Sequence, residues 1–413
     1  MSADTTTTPA PLRPSLLILI AVSMINPLGI NIYLPSMPSM SAVFQTSIAN
    51  VQLTLSLYLF AVAVAQIVIG PLSDRMGRRP VMLWGLLLFV FASIGCVFAP
   101  NIETLIGMRV VQAFGGCAGI VLGRAVIRDM HAGDEAASMI GYTTMGLAVA
   151  PMVAPWIGGH LHAWFGWQGA FAAMAAVTAV VLVFAYFLLH ETHHERGKAE
   201  SATTILKNFA ILSRSQEFWA YSLTATFASG IFFAFLGSAA FVSAGVLKLE
   251  PEVYGGYFAF VAVGYIIGNF FSGRYTTRFG LNRMMVSGTA LLLASVGLAI
   301  GLFWAFPPST LNFFLPMGLM GMANGIVLPS SLSGATGARP DMIGAASGLS
   351  GSLQLGVGSL LSYLAGSAYT DLDADITVWP LLYWMLACAA PALVFARWAM
   401  HINRKKRGVI RGG

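Results

Sequence analysis

The chain has 413 residues, of which 57% are hydrophobic and 9% charged, and its formal net charge is +6. A soluble domain carries roughly 25% charged residues, so this composition excludes an ordinary soluble protein and points to an all-α polytopic membrane protein whose outer surface is solvated by lipid. Cys96, Cys117 and Cys388 all stand in apolar runs, which implies neither a disulfide framework nor a metal cluster.

A helix needs about 20 apolar residues to cross the hydrocarbon core. Twelve segments qualify, near 15–37, 50–71, 80–99, 102–124, 136–160, 167–189, 216–242, 253–273, 283–304, 311–332, 343–366 and 378–398. The first follows Arg13, lacks a small-residue cleavage site and runs past the length of a signal-peptide core, so it reads as a retained span after a short tail, 1–14. It ends in "NPLGINIYLPSMPSM" (26–40), where Asn31 and Tyr33 put polar atoms into an apolar run. Such atoms are costly in lipid and are expected to have a partner or a task.

Span 2 carries Tyr58 and runs into "GPLSDRMGRRP" (70–80), whose Gly70 and Gly77 permit close packing and a tight turn. Asp74 there can cap a helix or pair with a neighbouring arginine. Span 4 holds "RVVQAFGG" (109–116), with Gln112 one turn after Arg109, the one Lys or Arg clearly inside a span. Span 5, "GYTTMGLAVAPMVAPWIGG" (141–159), combines small residues that let helices approach with Pro151 and Pro155, which bend them. His160 and His162 follow near the outer end and read as interfacial.

The polar stretch 190–215 divides the chain into 15–189 and 216–398. Its "HETHH" (190–194) fits a zinc-hydrolase pattern. It lies where a span runs into a polar loop, and no third ligand is apparent, so neither enzyme chemistry nor a metal or cofactor is expected. The two halves share short segments in the same order: "GPLSDRMG" (70–77) with "GRYTTRFG" (273–280), "GIVL" at 119–122 and 325–328, and "AAS" at 136–138 and 345–347. A duplicated six-span unit follows, with a substrate site between the halves near mid-membrane. Polar or aromatic residues inside spans, namely Asn31, Tyr33, Tyr58, Arg109, Gln112, Tyr142, Tyr257, Asn324 and Gln354, are the expected lining.

Alternate loops segregate the cations. Arg75, Arg78, Arg79, Arg128, Arg196, Lys198, Lys207, Arg214, Arg274, Arg278, Arg283 and Arg339 share one side with both termini, against Lys248 alone opposite. Both termini are therefore expected in the cytoplasm. The basic tail 399–413 reads as a partner for anionic lipid rather than nucleic acid.

The G-x-L-x-D-R-x-G-R-R pattern, the twelve spans and the internal repeat resemble the major facilitator superfamily along essentially the whole chain. The resemblance implies a gating role for Asp74, Arg75 and Arg79, with Thr277 where the second copy would carry its acid. Gly141, Ala150, Ala154, Pro155, Gly158 and Gly159 keep the spacing of the antiport signature of drug exporters, and "NIYLPSMP" and "GRAVIRDM" resemble the bicyclomycin-resistance (Bcr/CflA) branch. By resemblance, Arg109 is the span-4 arginine of proton-coupled members, and spans 1 and 4 line the cavity, so an Asn31–Arg109 hydrogen bond is expected to be feasible. Relatives commonly have Asp where this chain has Asn31, and an amide cannot titrate.

The implied function is a monomeric exporter of small amphiphiles in the cytoplasmic (inner) membrane, working by alternating access, with the proton as coupling ion. One embedded arginine and no embedded acid favour neutral or anionic substrates. An importer or facilitator without proton coupling is the alternative, and a membrane zinc protease a third, remote one.

Overall fold

The computed structural model describes residues 15–131, 133–192, 202–339, 342–369 and 376–412. The described residues are almost wholly helical. Span 1 is α1 (Leu16–Asn31), a 3₁₀ turn (Leu34–Ser36) and α2 (Met37–Val43). The remaining helices of the first half are α3 (Ile48–Met76), α4 (Arg78–Val97), α5 (Ile102–Met130), α6 (Gly133–Phe165) and α7 (Gln168–Leu188). After the short α8 (Ala202–Leu212) come α9 (Gln216–Gly245), α10 (Pro251–Phe279), α11 (Leu281–Ala305), α12 (Thr310–Gly337), α13 (Ile343–Ser367) and α14 (Trp379–Gly412).

Span 1 breaks at Pro35 and Pro38, whereas Pro27 stays inside α1. A proline cannot donate into a helix interior but suits a first turn, and Pro35 and Pro38 open the 3₁₀ turn and α2. Ten of the twelve crossings are individually long and apolar enough to span a bilayer; α6 and α13 are the exceptions among the described residues. For α13 the cause is its glycine- and serine-rich sequence, "IGAASGLSGSLQLGVGSLLSYLAGS", which is carried by packing rather than by lipid.

Two bundles form, α1–α7 and α9–α14, and a common core runs through both. They meet along two seams, α3 against α13 and α6 against α10. At the end remote from the arginines these seams are tight. A Cβ on Gly159 would stand 2.5 Å from Pro251 O, and one on Gly255 would stand 2.3 Å from Pro155 O. A Cβ on Gly366 would stand 2.3 Å from the side chain of Gln52. At the arginine-rich end, Cβ atoms on Gly70, Gly273, Gly344 and Gly348 would meet nothing within 4 Å.

The internal repeat has a structural counterpart. Gly77 and Gly280, matched in the sequence, both end their helices at positive φ, +101° and +84°. That region is costly for any residue with a Cβ. The two "GIVL" copies serve different neighbours: Gly119 packs on Val22 O of α1, and Gly325 on Tyr265 O of α10. His193, His194, Arg196 and Lys198 lie outside the described residues, as do 1–14 of the N-terminal tail.

Candidate functional site

Four of the predicted residues converge in the first bundle. Arg109 on α5 is fully buried, and no other charged side chain stands among the buried described residues. Its Nη1 donates to Gly29 O on α1 at 2.9 Å and to Gln112 Oε1, and its Nε donates to Thr54 O on α3 at 3.3 Å. The guanidinium lies over the rings of Tyr33 (4.2 Å) and Tyr58 (4.1 Å), with Phe171 of α7 at 5.9 Å. A cation over an aromatic face gains about 0.5–2 kcal/mol, most where water is absent. Carbonyl oxygens and π faces thus offset the cost of burial without a carboxylate. Nη2 has no hydrogen-bond partner among the described residues.

A second layer holds the first. Gln112 Nε2 donates to Ser93 Oγ of α4 at 2.7 Å, the Tyr58 hydroxyl donates to Asn26 Oδ1 at 3.0 Å, and the hydroxyls of Tyr33 and Thr54 are 3.3 Å apart. The expected Asn31–Arg109 hydrogen bond does not form. Asn31, at the last turn of α1, donates Nδ2 back to Pro27 O at 2.7 Å, and its Oδ1 is left without a partner among the described residues. The approach of spans 1 and 4 is real, but the contact is made by the backbone of Gly29. The amide that serves the cage, Asn26, and the ring of Phe171 were not among the predicted residues. An apolar run interrupted at Asn26 was the available signal for the first.

The other predicted lining residues are dispersed. Tyr142 on α6 is 51% exposed, and Tyr257 on α10 is half-buried and stacked on Phe314 at 5.2 Å. Asn324 on α12 is buried, with Nδ2 3.4 Å from Met320 Sδ and Oδ1 unpartnered among the described residues. Gln354 on α13 accepts from Ser229 Oγ of α9 at 3.0 Å. Gln52, which sequence reasoning passed over, is buried at the α3–α13 seam with neither amide atom hydrogen-bonded to a described residue.

The loop motif forms a junction of four helices in which Arg78, not among the expected gating residues, takes a central place. Asp74 pairs with Arg78 rather than with Arg75 or Arg79, and Arg78 Nε also reaches Asp129 Oδ2 of α5 at 3.1 Å. Arg75 is exposed. Arg79 donates Nε to Leu189 O (2.7 Å) and Nη2 to Tyr186 O (2.8 Å), where a cation suits the carbonyl end of α7. Glu191, read in sequence as part of a zinc pattern, instead accepts from the backbone N–H groups of Arg78 (2.9 Å) and Arg79 (3.3 Å), capping α4. Gly77 lets that carboxylate in, because a Cβ would stand 2.3 Å from its Oε2. Glu191→Ala is therefore expected to cost about 1–2 kcal/mol, read as a lowered unfolding midpoint in detergent.

The antiport-like segment is a packing surface. On α6, Gly158 faces Ile32 O of span 1, which a Cβ would approach to 1.7 Å, while Gly159 and Pro155 face α10. Gly141 and Pro151 lie on the same helix.

Comparison with known proteins agrees with this architecture. The family model described as Major Facilitator Superfamily matches residues 19–363. The bicyclomycin resistance protein homolog of Haemophilus influenzae is 28% identical, covering 94% of this chain and 96% of its own. The chloramphenicol resistance protein of Pseudomonas aeruginosa is 30% identical (92% and 90%), and the multidrug resistance protein D of Escherichia coli is 28% identical (85% and 88%). Among solved structures, a bacterial homolog of the human lysosomal transporter Spinster, inward-facing and occupied, superposes with a TM-score of 0.71 at 16% identity, covering 94% of this chain and 96% of that one. A chain whose length is matched in this way, and whose twelve crossings form two joined bundles, belongs to the Major Facilitator Superfamily.

Proposed function

We propose that the protein exports drug-like or other small amphiphilic molecules across the cytoplasmic membrane by alternating access, as a monomer exchanging substrate for protons. Segments 15–189 and 216–398 would be the moving halves, joined by 190–215, with the arginine-rich end and both termini in the cytoplasm. The observation that carries this reading is similarity over most of the chain to proteins named for resistance to bicyclomycin and chloramphenicol. The tight remote seam and the unfilled glycines at the arginine-rich end support a state that admits substrate from the cytoplasm. Tyr142, Tyr257, Asn324 and Gln354 would line its path, while the caged Arg109 supplies a fixed positive charge that favours neutral or anionic cargo.

Uptake into everted vesicles with and without an uncoupler tests this reading: sensitivity to the uncoupler is expected. A second reading, a facilitator without proton coupling, is favoured by one fact. No Asp or Glu stands among the buried described residues, and position 31 is an amide. Uptake indifferent to proton and sodium gradients would put that reading first. Asn31→Asp provides an internal check. A carboxylate in the last turn of α1, where Asn31 is buried and leaves Oδ1 without a partner among the described residues, introduces a titratable proton into the membrane-embedded part of the first bundle. Transport by this variant is expected to become more strongly dependent on pH; an unchanged profile would show that position 31 does not set coupling.

A further inference from the structure

A cavity of about 460 Å³ lies at the remote end, over the closed α6–α10 seam. Its walls come from both halves. Pro35, Pro38 and Ser39 of span 1 and His162 of α6 face Ala240 and Ala244 of α9 and Glu250, Glu252 and Tyr254 at the start of α10. The space is of the size that takes a small organic ligand. Several of its polar groups are unused. Glu250 is the residue preceding α10, yet its side chain makes no capping hydrogen bond. His162 Nδ1 is a buried atom with no partner among the described residues. Tyr254 is 2% exposed and lines the cavity, and its hydroxyl is likewise unpartnered. A buried polar atom left so is costly unless something fills the role. Exposed Lys248 stands two residues before Glu250, leaving the pair of carboxylates in excess.

We propose that this vestibule is a binding site for small amphiphilic amines. The ammonium would donate to Glu252, His162 Nδ1 and the Tyr254 oxygen, with its apolar part against Pro35, Pro38 and Ala244. The site is distinct from the Arg109 cage and has the opposite electrostatic preference. Because its walls belong to both halves, an occupant holds the remote seam shut, so an amine bound there is an inhibitor rather than cargo. This inference does not depend on the direction or coupling of transport.

Binding of 1-naphthylmethylamine and of its neutral counterpart 1-naphthylmethanol to the purified full chain, followed by calorimetry, tests it. Saturable binding of the amine is expected, with the alcohol at least about tenfold weaker. Glu252→Gln should weaken the amine at least about tenfold, and Glu103→Gln, an acid outside the cavity, should not. Tyr254→Phe, which keeps the packing, should weaken it by about two- to tenfold and serves if Glu252→Gln does not fold. Equal binding of amine and alcohol overturns the proposal, as does full amine affinity in both Glu252→Gln and Tyr254→Phe.

Discussion

Replacing Arg109 with glutamine is expected to reduce the preference for anionic over cationic substrates at least about tenfold. The cause is the field of one fixed charge. At about 10 Å and an effective dielectric of about 20, a unit charge contributes about 1.7 kcal/mol, and it acts with opposite sign on an anion and a cation. Every 1.4 kcal/mol is a factor of ten. Stability should change less than the loss of three hydrogen bonds suggests, because the variant also sheds the desolvation cost of a cation that has no carboxylate partner. Arg109→Lys separates charge from shape. It keeps the field but loses the planar fork that reaches Gly29, Thr54 and Gln112 together, so it should retain the preference while lowering the unfolding midpoint. Competition between matched anionic and cationic dyes reads the first property, and thermal unfolding the second. If Arg109→Gln left the ratio of dyes untouched, the residue would be a packing element only.

How far the sequence disclosed this arrangement depends on what each residue needs. Arg109 was legible because a charge in an apolar run is anomalous whatever surrounds it. The Gly77/Gly280 match was legible because a helix end at positive φ selects glycine on backbone grounds alone. Asn26 and Asn31 were not separable. Both are amides in one apolar helix, and only tertiary packing decides that one meets Tyr58 while the other folds back on Pro27. Phe171 was invisible for the same reason, since any apolar residue suits α7 until α5 is laid beside it. Asp74 and Arg78 are four apart, the spacing of a helical ion pair, so a neighbouring arginine was an expected partner, but Gly77 breaks the helix between them and left the choice among Arg75, Arg78 and Arg79 open. Glu191 is the instructive case: its motif match, without a third ligand, pointed to no chemistry and left its task unread, and its surroundings make it a helix cap joining α4 to the end of α7.

The second large effect concerns the seam. Gly159→Val is expected to shift the protein strongly toward a state open at the remote end, because its Cβ would fall 2.5 Å from Pro251 O and 2.7 Å from Glu252 Cα, both backbone atoms. Overpacking of a close contact costs about 1–3 kcal/mol, which moves a two-state population by about five- to 150-fold. Here the cost falls on one state only. In the proposed alternating-access cycle the halves separate at this seam in the other state, so global stability should change little. Gln52 biases the same balance from the opposite seam. Its two unpartnered amide atoms are buried between Gly237 and Gly366, and they penalise the closed arrangement by about 1–3 kcal/mol each relative to one that water can reach. Gln52→Met, apolar and of similar length, should therefore favour closure, opposite in sign to Gly159→Val. Thiol-labelling rates at a single cysteine introduced at Ser39, on a background without Cys96, Cys117 and Cys388, measure both. Labelling faster in Gly159→Val and slower in Gln52→Met is the expected pattern. Equal rates in the two would mean that neither seam limits opening at the remote end.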